Sequence, residues 1–218
     1  MKAKLPEYGL YVVVTEEFAN GKKHSEILPA LLDAGVKLIQ LREKNLSKRE
    51  LHEVAQYYRK ETLKYKSCFI MNDHLDIAIS VDADGIHLGQ DDFPFEQVSR
   101  IWPDHILGIS THGIDEVRKA VSCNPGYINI GPIFKTNTKK HINGPVGVDL
   151  LKRALKETDT HITVMGGIKQ ENMEILLEAG ARILAVVTSV LSSDNIYESA
   201  YKMQNGIESF WKTKIKQE

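Results

Sequence analysis

The chain has 218 residues, enough to enclose one sizeable hydrophobic core without requiring two domains. Its 28 basic and 29 acidic side chains leave a net charge of −1, so no overall basic field indicates a nucleic-acid or anionic-membrane partner. The two cysteines form no CxxC pair, and no signal-peptide core or apolar run of membrane-spanning length is present. These features predict one cytoplasmic domain over residues 1–218, in which any anion is bound by local groups.

Eight short apolar runs alternate with amphipathic segments along the whole chain. The runs are rich in Val, Ile and Leu and mostly lack strict alternation, which is typical of parallel strands covered by helices on the outside. The predicted strands span residues 8–15, 36–43, 67–73, 85–89, 105–111, 127–134, 161–167 and 182–189.

The segments between the strands carry apolar residues at helical spacing, together with signals for helix ends. Ser47 is followed three residues later by Glu50, which is a capping-box pattern, and a long last helix is expected from Asn195 to about Lys216. Eight β/α units in a chain of this length predict a single (β/α)8 TIM barrel in the α/β class. A doubly wound open sheet is the alternative.

Polar or glycine-rich sequence follows seven of the eight predicted strands. In a TIM barrel these strand ends meet at one mouth, where the active site lies. The segments concerned are "QLREK", "MND", "LGQDD", "GISTH", "GPIFKTNTK", "MGG" and "VVTS". The sequence therefore predicts a functional site built from residues that are distant along the chain.

Two cations, Arg42 and Lys44, lie two positions apart at the end of the second predicted strand. In an extended segment both side chains point the same way, while Glu43 faces the opposite side. Such a pair suits a phosphate or diphosphate, because Arg offers forked donors and Lys a point charge. The alternative is a rim of salt bridges with Asp73 or Asp92.

Asp73 and Asp92 follow the third and fourth predicted strands. Two carboxylates at neighbouring strand ends can provide the protein ligands of Mg²⁺, which takes its other ligands from water and substrate phosphates. The alternative is that each aspartate caps the helix that follows it. The nearby cations, including Lys139, favour a site for Mg²⁺ and a diphosphate.

A second anion site is predicted at the other side of the mouth. Gly166 and Gly167 follow the seventh strand, where many TIM barrels bind a monophosphate through backbone N–H groups. Thr188 and Ser189 add hydroxyl donors, although a tight turn and a helix cap also explain these residues. His112 is a second-tier candidate for an acid or base.

The ordered motifs "QLREK", "NDHLDIAISVDADGIHLGQDD", "GISTH", "GPIFKTNTKK…GPVGVDLL" and "GGI…VV" resemble those of the thiamine-phosphate synthase family, from about Leu10 to about Ser192. The resemblance implies a (β/α)8 enzyme that joins an aminopyrimidine-methyl diphosphate to a thiazole phosphate or its carboxylate. The products would be thiamine phosphate and diphosphate. It also implies a dissociative displacement with one Mg²⁺ per subunit, small phosphorylated substrates and no macromolecular ligand. The resemblance leaves open whether the chain forms a homodimer.

Residue roles are carried over from the family by position. Asp73 and Asp92 would bind Mg²⁺, and catalysis would involve Arg42, Lys44, Ser110 and Lys139. The residues expected to hold the pyrimidine diphosphate are Gln40, Leu41, Arg42, Glu43, Lys44, Asn72, Ser110 and Lys139. Those expected to hold the thiazole phosphate are Thr136, Asn137, Thr138, Gly167, Val187 and Thr188.

Three departures from the family pattern are visible. Thr188 stands where the family usually has Ser, Lys135 where it usually has Pro, and Arg182 where it usually has Asp. Two other functions remain open. A TenI-type thiazole tautomerase would share the barrel but lacks parts of the metal-diphosphate motifs, and a non-catalytic barrel could sense thiamine phosphate without needing Mg²⁺.

Overall fold

The eight strands form one closed parallel barrel in the order β1 to β8. The computed structural model describes residues 4–136 and 144–217. The strands are β1 Gly9–Val14, β2 Leu38–Leu41, β3 Cys68–Asn72, β4 Gly85–Leu88, β5 Ile106–Thr111, β6 Tyr127–Ile130, β7 Ile162–Met165 and β8 Ile183–Val186. Pairing of β1 with β8, for example Tyr11 with Ala185, closes the barrel. The prediction of a (β/α)8 TIM barrel is confirmed, and the open sheet is excluded.

Helices fill the connections between the strands and cover the barrel. They are α1 His24–Asp33, α2 Lys48–Tyr65, α3 Leu75–Ser80, α4 Phe95–Ile101, α5 Ile114–Ser122, α6 Gly147–Glu157, α7 Met173–Glu178, α8 Thr188–Leu191 and α9 Ile196–Ile215, with a short 3₁₀ helix at Glu16–Phe18. The predicted capping box is present, because Ser47 accepts from the backbone N–H of Glu50 while Glu50 accepts from that of Ser47. Within the described part of the chain, no helix combines the length and apolar character needed to cross a membrane.

Two predicted strands end earlier than the sequence suggested. β6 stops at Ile130 and not at residue 134, since Pro132 has no N–H group to continue the ladder. β8 stops at Val186 and not at residue 189, because the Val187 carbonyl accepts from Val190 and Leu191 in the first turn of α8. As a result, the segment from Gly131 onward is a loop, and Thr188 and Ser189 lie in the first turn of α8 at the barrel mouth.

The hydrophobic core has two layers. One layer lies between strands and helices and includes Leu10, Val12 and Val14 of β1. The other is a smaller cluster to which β1 contributes the alternating residues Tyr11 and Val13. Because successive side chains of a strand point to opposite faces, this second cluster fills the barrel interior.

Helix α9 packs against β1 and is bonded to it near the end of the barrel opposite the mouth. The side chain of Gln204 accepts a hydrogen bond of 2.8 Å from the buried backbone N–H of Leu10. Arg182 lies over the Trp211 ring, 4.5 Å from its centroid, and pairs with Glu7 at 2.6 Å. This departure from the family pattern therefore has a structural role, because it joins the start of β8 to α9 and to the N-terminal segment.

Candidate active site at the barrel mouth

A cavity of about 810 Å³ opens at the carboxyl ends of the strands. Its volume lies in the upper part of the usual range for small-molecule sites, about 300–1,000 Å³, so two small substrates fit together. Every strand, or the loop that follows it, contributes to the wall. The structure thus brings the polar strand ends to one place, as the sequence predicts.

Cations and carboxylates share one side of this cavity. Arg42 and Lys44 both line it, and the Lys44 ammonium lies 2.5 Å from the Asp73 carboxylate. Part of the predicted salt-bridged rim is therefore present. Because half of the Lys44 side chain is exposed, such a pair is worth only about 0–1 kcal/mol and can readily exchange for a charged ligand.

Asp73 and Asp92 lie together and neither acts as the predicted helix cap. The helices that follow begin after His74 and Pro94, each without a side-chain cap bond in the described chain. Asp92 accepts a hydrogen bond of 2.6 Å from the Gly89 N–H, which directs its carboxylate back toward the strand end. A Cβ atom at residue 89 would lie 2.8 Å from Asp92 Oδ2, so glycine permits this approach.

The two carboxyl groups have opposite pKa shifts. Burial and the neighbouring Asp73 carboxylate raise the pKa of Asp92. For Asp73, burial is outweighed by hydrogen bonds with Asp92 and Lys44, which lower its pKa. Close carboxylates that repel one another in this way gain from a bound divalent cation. Among residues 4–136 and 144–217, however, no group of three or more His, Cys, Asp or Glu is arranged around a common metal position.

A chain of hydrogen-bonded polar side chains crosses the cavity floor. Gln40 donates to the Tyr11 hydroxyl, which lies 2.7 Å from the Tyr127 hydroxyl. His87 then joins Tyr127 at 2.9 Å to Ser110 at 2.8 Å through its two ring nitrogens. Burial raises the pKa of both tyrosines, so they remain neutral phenols at neutral pH.

The other side of the cavity is built by glycines after β7. Gly166 and Gly167 both have positive φ angles, 101° and 66°. A Cβ atom at Gly167 would lie 2.6 Å from the Lys135 carbonyl oxygen, and one at Gly166 would lie 2.4 Å from Pro132. The glycines let the segment after β6 pack against the end of β7, which brings Thr136 to the wall near them.

Most of the predicted site residues meet in this cavity, with clear exceptions. The residues that line its wall are Gln40, Arg42, Lys44, Asn72, Asp73, Asp92, Ser110, Thr136, Gly167, Val187 and Thr188. Leu41 is instead buried between strands and helices, and Glu43 is buried with its carboxylate bonded to the loop after β1. Their side chains do not line the cavity within the described residues. Asn137, Thr138 and Lys139 lie outside the residues that the structure describes.

His112 is half-buried in the wall, and its Nδ1 lies 3.1 Å from the Glu116 carboxylate. Lys135 also lines the cavity, and its side chain is exposed. Both residues therefore have access to a bound ligand. Ser189 lines the wall too, beside Thr188.

The model of the thiamine monophosphate synthase family matches residues 10–190. This range covers all eight strands and every residue of the wall discussed so far. The chain belongs to this family.

Relatives named as thiamine-phosphate synthases match over nearly the full chain. A thiamine-phosphate synthase from Dictyoglomus turgidum is 37% identical, with 94% of this chain and 93% of the relative covered. One from Shouchella clausii is 35% identical, with 92% and 97% covered. The solved structure of a thiamine phosphate pyrophosphorylase from Pyrococcus furiosus has a TM-score of 0.86 at 27% identity, with 94% and 97% covered.

Sequence reasoning missed the polar residues that lie within strands. Tyr11, His87 and Asn129 belong to the wall of this thiamine monophosphate synthase family member, but they occur inside the apolar runs and not at their ends. Their signal is a polar side chain in the middle of a buried strand, which requires a hydrogen-bond partner. Asn129 meets this requirement by accepting a hydrogen bond of 2.8 Å from Thr163.

Proposed function

We propose that the protein is a thiamine-phosphate synthase, a transferase of thiamine biosynthesis. It joins 4-amino-2-methyl-5-(diphosphooxymethyl)pyrimidine to 4-methyl-5-(2-phosphoethyl)thiazole and releases diphosphate; when the thiazole carboxylate is the substrate, CO₂ is released as well. The observation that carries the proposal is one cavity with two differently built ends. Cations and paired carboxylates lie at one end, and a glycine-lined wall with hydroxyl groups lies at the other.

The first end suits the diphosphate. Asp73 and Asp92 would hold one Mg²⁺ per subunit, since two carboxylates are a usual protein contribution and substrate phosphates complete the shell. Burial and the neighbouring Asp73 carboxylate raise the pKa of Asp92, and a bound cation would favour its ionised form. When bound, Mg²⁺ would neutralise negative charge on the leaving diphosphate.

Arg42 and Lys44 stabilise the same leaving group from the protein side. Their charges act where negative charge accumulates as the bond between the methylene carbon and the diphosphate oxygen breaks. The half-buried position of Arg42 excludes part of the solvent and strengthens that interaction. Lys139, outside the described residues, is proposed to join them.

The floor of the cavity suits the aminopyrimidine ring. Gln40, Asn72 and Ser110 present hydrogen-bonding groups there, and the two tyrosines keep the surroundings neutral. A neutral polar floor orients the ring without trapping the positive charge that develops on the methylene carbon. The thiazole nitrogen then attacks that carbon, so no protein nucleophile is needed.

The glycine-lined end suits the thiazole phosphate. We propose that Thr136, Gly167, Val187 and Thr188 hold it, together with Asn137 and Thr138 of the segment outside the described residues. The positive φ of Gly167 opens backbone groups toward the cavity. Thr188 keeps the hydroxyl group of the serine that is usual at this position. The whole chain is proposed to act as one domain in the cytoplasm.

The experiment is a product assay with systematic omissions. With both substrates and Mg²⁺, thiamine phosphate and diphosphate should form together, and leaving out any one component should abolish both products. Isomerisation of the thiazole carboxylate without the pyrimidine would instead support a tautomerase. Tight binding of thiamine phosphate without any turnover would support a sensor.

A further inference from the structure

Glu43 is a buried carboxylate between two cations that face the cavity. Arg42 and Lys44 line the wall, whereas the Glu43 side chain is 7% exposed and points to the other side. Burying a carboxylate is costly unless hydrogen bonds compensate it. A carboxylate buried at this position therefore requires contacts that compensate the cost of its burial.

The partners of Glu43 lie in the loop that connects β1 to α1. Its Oε1 atom accepts a hydrogen bond of 2.6 Å from the Glu16 N–H, and its Oε2 atom accepts one of 3.3 Å from the Thr15 hydroxyl. The next backbone link is also present, because the Arg42 N–H donates to the Val14 carbonyl at 2.9 Å. One side chain thus fastens the end of β2 to the residues that follow β1.

His24 lies beside the same carboxylate. Its Nε2 atom lies 3.1 Å from Glu43 Oε1, without hydrogen-bond alignment, and its Nδ1 atom lies 2.8 Å from the Tyr58 hydroxyl. The Glu16 carboxylate accepts a hydrogen bond of 2.9 Å from the His24 N–H at the start of α1. The contacts of Glu43 therefore extend to α1 and, through Tyr58, to α2.

We propose that Glu43 is a positioning residue that fixes the direction of Arg42 and Lys44 toward the diphosphate and holds the β1–α1 loop against the cavity. It acts through its hydrogen bonds and does not itself touch the substrate. The loop matters because Phe18, three residues beyond Thr15, lines the cavity. The inference deepens the proposed function and rests on it for the identity of the diphosphate substrate.

The test measures Mg²⁺-diphosphate binding by calorimetry and KM for each substrate. Glu43→Ala should weaken diphosphate binding and raise KM for the pyrimidine diphosphate by on the order of tenfold to a hundredfold, because small misplacements of binding groups cost that much. KM for the thiazole phosphate should stay within about twofold, since its wall is built by other loops. Glu43→Gln should restore near-normal binding, because its amide oxygen can accept from the Glu16 N–H and its amide NH₂ can donate to the Thr15 hydroxyl oxygen.

Glu17→Gln is the matched control, because it removes the same charge from an exposed residue of the same loop. It should leave binding unchanged. If Glu43→Ala does not fold, Glu43→Asp replaces it, since the shorter side chain keeps the charge but cannot reach both partners. Weaker diphosphate binding by Glu43→Asp then supports the proposal, and unchanged binding overturns it.

Three further results would contradict the inference. They are unchanged diphosphate binding in a folded Glu43→Ala protein, an equal rise of both KM values, and a loss in Glu43→Gln as large as in Glu43→Ala. If the wild-type protein makes no thiamine phosphate, the proposed function fails, but calorimetry with inorganic diphosphate and Mg²⁺ still decides the role of Glu43.

Discussion

Asp92 has two predicted roles, helix cap and Mg²⁺ ligand, and the structure excludes the first. As a helix cap it would bond to the first turn of α4, but it accepts from Gly89 and lies beside Asp73. Asp92→Asn should therefore reduce turnover by on the order of a hundredfold or more, because metal-assisted charge stabilisation is worth several kcal/mol. The melting temperature should change little, since an amide oxygen can still accept from Gly89. Steady-state kinetics and thermal unfolding check both expectations.

Asp91→Asn is the control for that substitution. Asp91 is exposed and adjacent in the sequence, and it is outside the cavity wall, so the change removes one charge from the same loop. Its turnover should match the wild type. Equal losses in both variants would indicate a general electrostatic effect and contradict the assignment of Asp92 as a ligand.

The raised pKa of Asp92 predicts a pH dependence of Mg²⁺ binding. The shift places its protonation above the usual value of 3.8, so protons compete with Mg²⁺ further into the mildly acidic range. Affinity measured by calorimetry should rise as pH increases through this range. In Asp92→Asn the rise of Mg²⁺ affinity with pH should be smaller. A pH profile equal to that of the wild type would show that another group titrates.

The raised pKa of Asp92 also determines how the stability of the Mg²⁺-free protein changes with pH. The folded protein holds the Asp92 proton more tightly than the unfolded chain does. The contribution of Asp92 to the free energy of unfolding is therefore complete below the unfolded pKa and is lost as pH rises through the folded value. Mg²⁺ should restore stability on the alkaline side.

Residues at strand ends were predictable from the sequence, whereas residues within strands were not. Arg42, Asp73 and Asp92 interrupt apolar runs, and parallel topology alone brings them to one mouth. His87 and Tyr127 lie inside runs that are buried on both faces. In such a strand the periodicity does not distinguish a side chain facing the barrel interior from one facing the helices, so their contact required the structure.

At the scale of elements, β5 and β6 pack closely against one another at Gly108. A Cβ atom at Gly108 would lie 2.1 Å from Tyr127 Cζ, and the buried Tyr127 ring is held by hydrogen bonds to Tyr11 and His87. Gly108→Ala should therefore lower the free energy of unfolding by about 1–3 kcal/mol, as overpacked cores do. Chemical denaturation measures the change.

Gly113→Ala provides the comparison, because a Cβ atom there would meet nothing within 4 Å. Its cost should stay below that of Gly108→Ala, with only a small loss at the start of α5. A stable Gly108→Ala protein with normal kinetics would show that the Tyr127 ring can move, and would contradict the expectation that its hydrogen bonds to Tyr11 and His87 hold it in place.

The predicted element types were confirmed, while some strand limits were wrong. Residues 131–134 and 187–189 directly continue β-rich apolar runs and were included in the predicted strands, but Pro132 cannot donate to a ladder and Thr188 begins a helix. Those endings depend on which neighbouring strand remains available for pairing. Local propensity does not contain that information.

At the scale of the whole molecule, a buried hydrogen bond joins the last helix, α9, to the first strand, β1. Gln204→Leu removes the acceptor of the buried Leu10 N–H and should lower the free energy of unfolding by about 1–3 kcal/mol, because a buried donor is left unpaired. In a chain of this size that corresponds to roughly 2–4 °C in melting temperature per kcal/mol. The kinetics of the folded fraction should be unchanged, since Gln204 is far from the mouth.

Asn205→Leu is the matched substitution on the exposed face of the same helix. It should leave the free energy of unfolding within about 0.5 kcal/mol of the wild-type value, as surface changes usually do. If Gln204→Leu and Asn205→Leu lower the free energy of unfolding equally, the hydrogen bond to Leu10 does not account for the loss. The cost would then belong to the introduced leucine.

The measurement that tests the central claim most directly follows both products of one reaction over time. With both substrates and Mg²⁺, the account predicts thiamine phosphate and diphosphate in equal amounts, and none of either after Mg²⁺ is chelated. Diphosphate released without thiamine phosphate, or thiamine phosphate formed equally well without Mg²⁺, would contradict it.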